Sequence, residues 1–213
     1  MTPALVVIAK APVPGRVKTR LCPPCTPQQA AAIAEAALRD TLAAVRSTEA
    51  GRHVLVLDGS PGDWPELDGF EVLPQRGGGL ADRLAAAFDD VAGPAFLVGM
   101  DTPQLHPDDL ARGLAALAGA GAVLGPASDG GYWGIGLRRA DAAVFRGVPM
   151  SVASTADAQR ARLQDLGLQI AELPTLDDVD TWAAAGRVGA LAPASHFAAA
   201  VRAVDADASA DAI

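Results

Sequence analysis

The chain has 213 residues, half of them hydrophobic, with 17 basic against 25 acidic side chains and a net charge of −8. That balance argues against non-specific nucleic-acid binding, which needs a basic face. No apolar run approaches the ~18–20 residues of a membrane span, and the N-terminal run is too short for a signal peptide, so a cytoplasmic protein is expected.

Leu5 to Ala9 is a continuous apolar run that reads as a buried parallel strand. It runs into Lys10-Ala-Pro-Val-Pro-Gly15-Arg16-Val-Lys18-Thr-Arg20. No Asp or Glu precedes Glu35, and Lys10 and Lys18 are the only lysines in the chain. A basic glycine loop after a strand, set against the global charge, points to phosphate: the cations supply charge and Gly15 lets backbone N–H groups approach. Cys22 and Cys25 flank two prolines in the turn that follows. With no His nearby they read as reduced, non-catalytic thiols.

Thr26 and Pro27 supply an N-cap and a first-turn proline for a helix over about 28–47. Strands are predicted at His53 to Leu57 and Phe70 to Leu73, then Gly77-Gly78-Gly79 opens onto a helix over about 80–91. These glycines form either a flexible loop or a close backbone approach to a base or ribose. Ala95 to Met100 is a buried strand ending at Asp101-Thr102-Pro103, and Pro107-Asp108-Asp109 starts the next helix with acids suited to the macrodipole. A strand at Ala122 to Leu124 precedes Asp129-Gly130-Gly131-Tyr132-Trp133, and Gly134 to Leu137 forms another. Ser154 with Asp157 resembles a capping box for a helix to about Leu166. A late strand, Leu168 to Leu173, leads to Asp178-Val179-Asp180. The last helix is placed over about 194–204, with a disordered acidic tail from Asp205.

Strands alternating with helices predict an α/β fold with a mainly parallel sheet, read as one domain over 1–204. Ligands in such sheets bind outside the carboxyl ends of the strands. Lys10, Gly77 to Gly79, Asp101, Asp129, Asp178 and Asp180 all follow strands, and together they suit a nucleotide phosphate chain bridged by Mg²⁺ or Mn²⁺. Asp101 is either a cation ligand or an Asx-turn residue, and Asp180 either a ligand or a helix cap. Tyr132 and Trp133 could form a wall for a sugar or base. Neither the P-loop pattern nor the dinucleotide fingerprint is present.

Lys10 to Leu21, Gly99-Met-Asp101-Thr-Pro103, Asp129-Gly-Gly-Tyr132 and Asp178-Val-Asp180-Thr181 occur in that order. Together they resemble the DUF2064 family, glycosyltransferase-like members of the GT-A (nucleotide-diphospho-sugar transferase) superfamily. The likeness covers the chain to about Ala185. It implies a three-layer α/β/α sandwich with one reversed strand in a mostly parallel sheet. Lys10, Gly15, Arg16, Lys18 and Arg20, with Gly77, Gly78 and Gly79, would hold the nucleotide. Asp101 and Asp180 would hold the cation, and Asp129, Gly130, Gly131, Tyr132 and Trp133 would face the acceptor. Asp101, Asp129 and Lys18 would be catalytic. The superfamily's Asp-x-Asp is reduced here to Asp101-Thr-Pro, and Met150-Ser151 replaces an expected Trp-Ser.

The leading expectation is therefore a metal-dependent glycosyltransferase with a nucleotide-sugar donor and a small-molecule acceptor. A guanylyltransferase-like nucleotidyltransferase using a nucleoside triphosphate is the alternative, since four cations exceed the need of a diphosphate. A nucleotide-binding protein without turnover is the third reading.

Overall fold

The computed structural model describes residues 2–210. Its strands are β1 (Ala4–Lys10), β2 (Arg52–Asp58), β3 (Phe70–Pro74), β4 (Ala95–Val98), β5 (Ala122–Pro126), β6 (Tyr132–Leu137) and β7 (Ile170–Glu172). They form one sheet in the order β3-β2-β1-β4-β6-β5-β7. β6 runs antiparallel to both its neighbours, β4 and β5, and every other pairing is parallel. The expected mostly parallel sheet with one reversed strand is what the chain forms.

The helices are α1 (Pro27–Arg46), α2 (Leu80–Val91), α3 (Pro107–Gly119), α4 (Thr155–Asp165), α5 (Trp182–Leu191) and α6 (His196–Ala210). Side chains alternate across each strand, so β1 serves two cores. Leu5 and Val7 pack with Leu38 and Leu42 of α1 and Leu110 and Leu117 of α3. Ala4 and Val6 pack on the other face with Leu84 and Phe88 of α2 and Leu163 of α4. This is the expected α/β/α sandwich. A third cluster joins the outer side of α1, through Ile33 and Ala37, to Val188 of α5 and Phe197 and Val201 of α6.

Local chemistry explains most boundaries. Thr26 caps α1 in a capping box: its hydroxyl accepts from the Gln29 N–H while the Gln29 side chain accepts from the Thr26 N–H at 2.8 Å. The box expected at Ser154 does not form; Ser154 makes no side-chain cap, and Asp157 pairs with Arg160 at 2.6 Å instead. The expected tail from Asp205 is corrected over residues 205–210, which continue α6. Alanines favour the helix, and Gln29 of α1 donates to Asp207 at 3.1 Å. Residues 211–213 of that tail lie outside the described residues.

Candidate functional site

The loop after β1 is held open by its backbone and anchored by one side chain. Gly15 has φ +76°, Val17 is buried in the core, and Lys18 itself adopts a left-handed conformation at φ 47°. A non-glycine residue there carries strain of about 1–2 kcal/mol, which its side chain offsets. The Lys18 side chain is 6% exposed, and its ammonium lies 2.5 Å from Asp101 and 3.8 Å from Asp180 and donates to the Val179 carbonyl. Arg20 pairs with Asp180 at 2.6 Å. Lys10 and Arg16 are exposed and have no carboxylate within 4.0 Å among the described residues.

Two neighbouring segments bring the acids together. The chain beyond β5 and the chain before α5 bridge in parallel at Ala127 and Leu176, and the Ser128 N–H donates to the Leu176 carbonyl at 3.0 Å. In the Asp178-Val179-Asp180 segment that follows, the two carboxylates come together while Val179 between them is buried in the third cluster. Asp129 sits in the β5–β6 turn and accepts from the Gly131 N–H at 2.7 Å. Gly130 has φ +90°, and a Cβ there would overlap the Ala153 carbonyl. Its own carbonyl accepts from the Ala156 N–H at 2.8 Å, so the turn is docked on the first turn of α4.

Oxygens of Asp129, Asp178 and Asp180 lie within 4.8 Å of one another. Burial, then the charges of Asp129 and Asp180, push the Asp178 carboxyl up to about 6, with Lys18 pulling the other way. Three hard oxygen donors in mutual repulsion fit a divalent cation such as Mg²⁺ or Mn²⁺. The grouping differs from the expected pair. Asp180 belongs to it and Asp129 joins it from the acceptor side, whereas Asp101 is engaged with Lys18. Asp101 forms no Asx-turn, and the cap of α5 is Thr181, whose hydroxyl accepts from the Ala184 N–H at 3.3 Å.

Beside the acids lies a cavity of about 550 Å³ lined by Lys10, Arg16, Lys18, Arg20, Asp101 and Asp180 on one side. Gln75, Gly78, Leu80 and Arg83 continue the wall, and Tyr132, Trp133 and Ser151 complete it. Gly15, Gly77 and Gly79 are not part of this lining. Gly77 turns the chain at φ +109°, and Gly79 is the N-cap residue of α2. Trp133 is mainly a core residue: it meets Phe96 edge-on at 5.8 Å, and its Nε1–H donates to the Pro174 carbonyl at 3.0 Å. Tyr132 faces the opposite core, where burial raises its hydroxyl well above the usual range.

The sequence set Asp178 on the rim but not in the expected pair of cation ligands, and gave no sign of Arg83. The i, i+2 spacing of Asp178 and Asp180 was a usable signal; Arg83 carried none. Cys25 is buried, and desolvation followed by the neighbouring Cys22 raises its thiol, which disfavours a reactive thiolate.

The sheet order, the reversed strand and the acid cluster at the carboxyl edge define the nucleotide-diphospho-sugar transferase type of α/β fold. Residues 41–152 match the family described as an uncharacterized protein conserved in bacteria, DUF2064, and the chain belongs to that family. Its fold superposes on a protein from Desulfovibrio desulfuricans G20, provisionally described as a nucleotide-diphospho-sugar transferase, with TM-score 0.83 and 27% identity over 97% of this chain and 96% of that one. CMP:2-keto-3-deoxy-manno-octonic acid synthetase, solved with CTP, shares the fold at TM-score 0.55 and 16% identity, over 89% of this chain and 98% of that one. A nucleotidyl transferase from Methanothermobacter also has TM-score 0.55 and 16% identity, over 87% of this chain and 95% of that one. A search of curated proteins gives no match. Among the described residues no helix is long and apolar enough to cross a membrane.

Proposed function

We propose that the protein is a divalent-cation-dependent transferase that uses an activated nucleotide, most simply a nucleotide-diphospho-sugar from which a glycosyl group passes to a small-molecule acceptor. The observation that carries this reading is one cavity lined both by Lys10 and Arg16, which have no carboxylate within 4.0 Å among the described residues, and by Asp180, through which the triad with Asp129 and Asp178 adjoins it. Lys10 and Arg16 would bind phosphate oxygens, and the triad would hold the cation. A bound cation would supply bridging and charge neutralisation at the phosphates. The protein's own groups would fix the phosphate chain by ion pairs and hold the acceptor beside Asp129 and Tyr132. The relative of 27% identity, described in terms of a diphospho-sugar, supports the same choice.

Nucleotidyl transfer from a nucleoside triphosphate is the second reading, and the pairing of Lys18 and Arg20 bears on it directly. With both neutralised by Asp101 and Asp180, two free cations match a diphosphate. A triphosphate would need Lys18 or Arg20 to exchange its carboxylate for phosphate.

Thermal-shift measurements with Mg²⁺ or Mn²⁺ against UDP-sugars, GDP-sugars and nucleoside triphosphates separate these readings. Metal-dependent stabilisation by a diphospho-sugar, with release of nucleoside diphosphate on acceptor addition, is expected. Stabilisation by a triphosphate with pyrophosphate release would replace glycosyl by nucleotidyl transfer. No shift with any nucleotide would refute both.

A further inference from the structure

Three successive peptide planes carry the acid segment, and each holds a hydrogen bond to a different side chain or loop. The Asp177 carbonyl shares its plane with the Asp178 N–H and accepts from Nε2 of Gln104 at 2.5 Å. In the next plane the Val179 N–H donates to the Asp101 carbonyl at 2.9 Å. In the third, which ends at the Asp180 N–H, the Val179 carbonyl accepts from the Lys18 ammonium. Asp178 stands between the first two planes. Among the described residues no hydrogen bond other than that of Gln104 reaches the first.

Gln104 is itself firmly placed. It lies between β4 and α3, outside the lining of the cavity. Thr102, Pro103 and Leu105 beside it are buried, and the Leu105 N–H closes a turn on the Thr102 carbonyl at 3.1 Å. A carbonyl only accepts, so the amide must turn its NH2 end to Asp177. Oε1 is then buried without a partner, the one such side-chain atom among the described residues. An unpaired buried oxygen is unfavourable, and an apolar side chain of the same length would avoid it. What the amide offers in return is its nitrogen.

Resting on the reading of Asp129, Asp178 and Asp180 as a cation site, we propose that Gln104 is a positioning residue for that site: by fixing the plane between Asp177 and Asp178, it aims the Asp178 carboxylate at the other two. Partners outside the ligand shell set affinity in this way without touching the ion. Gln104 works through the backbone, and so acts on Asp178 rather than on Asp129, whose carboxylate is oriented by the Gly131 N–H of its own turn.

The test is Mn²⁺ titration of the full chain read by electron paramagnetic resonance, beside the melting temperature without metal. Gln104→Met removes the donor and the unpaired oxygen together, two changes that oppose each other in stability. The variant is expected to bind Mn²⁺ about 10-fold more weakly and to melt within about 2 °C of wild type. In an Asp178→Asn background the same substitution is expected to change Mn²⁺ affinity by less than about twofold, because the carboxylate it aims is gone. Unchanged affinity in Gln104→Met overturns the proposal and leaves the cation reading intact. An equal loss in both backgrounds assigns Gln104 to general packing and also overturns it. A wild-type protein that binds no Mn²⁺ removes the cation reading and this inference with it. Should Gln104→Met not fold, Gln104→Asn, whose amide falls one methylene short of Asp177, carries the same expectations.

Discussion

Asp178→Asn is expected to stabilise the protein at neutral pH when no divalent cation is present. Asp178 is half-buried and surrounded by Asp129, Asp180 and Asp101, with Lys18 as the opposing charge. Its folded-state carboxyl is raised from 3.8 to about 6. Folding therefore retains a proton that the unfolded chain has lost between those values. The sign follows: stability from this group is complete below about pH 4 and drains away as pH rises to about 6. At roughly 1.36 kcal/mol per unit, a shift of about two units sets a ceiling near 3 kcal/mol. Water reaches half of this side chain, so screening reduces the figure to about 1 kcal/mol. In a domain of this size the variant should melt about 2–4 °C higher at pH 7.5 in EDTA. Differential scanning calorimetry at pH 7.5 and pH 4 reads the effect. The gain should vanish at pH 4, and Mg²⁺ should raise the melting temperature of the wild-type protein but not of the variant. A variant that melts lower than wild type at pH 7.5, or gains equally at both pH values, would refute the repulsion argument.

Gly130→Ala combines a strained φ with a clash on the Ala153 carbonyl and endangers the Ala156 hydrogen bond. A loss of about 2–4 kcal/mol is expected, seen as a shifted urea midpoint; an unchanged midpoint would show that the turn is not docked. Lys18→Ala should weaken nucleotide binding in calorimetry. Unlike a purely surface lysine, it should also destabilise by about 1–3 kcal/mol, because Asp101 loses the ammonium 2.5 Å away. Equal chemical stability of wild type and Lys18→Ala would contradict that pairing. Asp180→Asn should lower Mn²⁺ affinity about 10- to 100-fold, whereas Asp101→Asn, outside the triad, should change it far less; the reverse order would return the cation to Asp101.

Much of the fold was legible because its signals are local. The apolar runs at Leu5 to Ala9 and Ala95 to Val98 carry no polar residue, which only strands buried on both faces tolerate. Thr26-Pro27 and Pro107-Asp108-Asp109 mark helix starts by chemistry that acts within one turn. The reversal of β6 was reached only through family resemblance, although the link between Leu124 and Gly134 is shorter than a parallel crossover needs and was a usable signal. Composition misled at α6: Asp205 and Asp207 read as a solvated tail, yet Phe197, Val201 and Val204 hold that helix on α1 and α5. In the site, residue types were readable but partners were not. Lys18 and Asp101 are 83 positions apart in the numbering, and nothing in either segment says that one neutralises the other.

The reversed strand also explains why an acid cluster can assemble here at all. In a wholly parallel sheet, each crossover returns the chain to the opposite edge before the next strand begins, so only residues at strand C-termini reach the binding rim. Because β6 runs antiparallel to β5, the turn joining them stays at the carboxyl edge and adds Asp129 and Tyr132 to that rim directly. The parallel bridge between Ala127 and Leu176 then lays the segment carrying Asp178 and Asp180 beside the same turn. Three carboxylates gathered this way repel one another, and that repulsion adds to burial, the larger cause, in raising the carboxyl of Asp178. Lys18 and Arg20 offset part of it from the basic loop, and on the proposed reading the loop would have two roles: Lys10 and Arg16 would serve phosphate, while the other two cations would hold the acids in place until a divalent cation and nucleotide compete for them. Ligand binding should then be cooperative between cation and nucleotide. Calorimetry would show nucleotide affinity rising with Mg²⁺ in the wild-type protein and losing that dependence in Asp178→Asn, and a dependence that persists in the variant would refute the shared-charge argument.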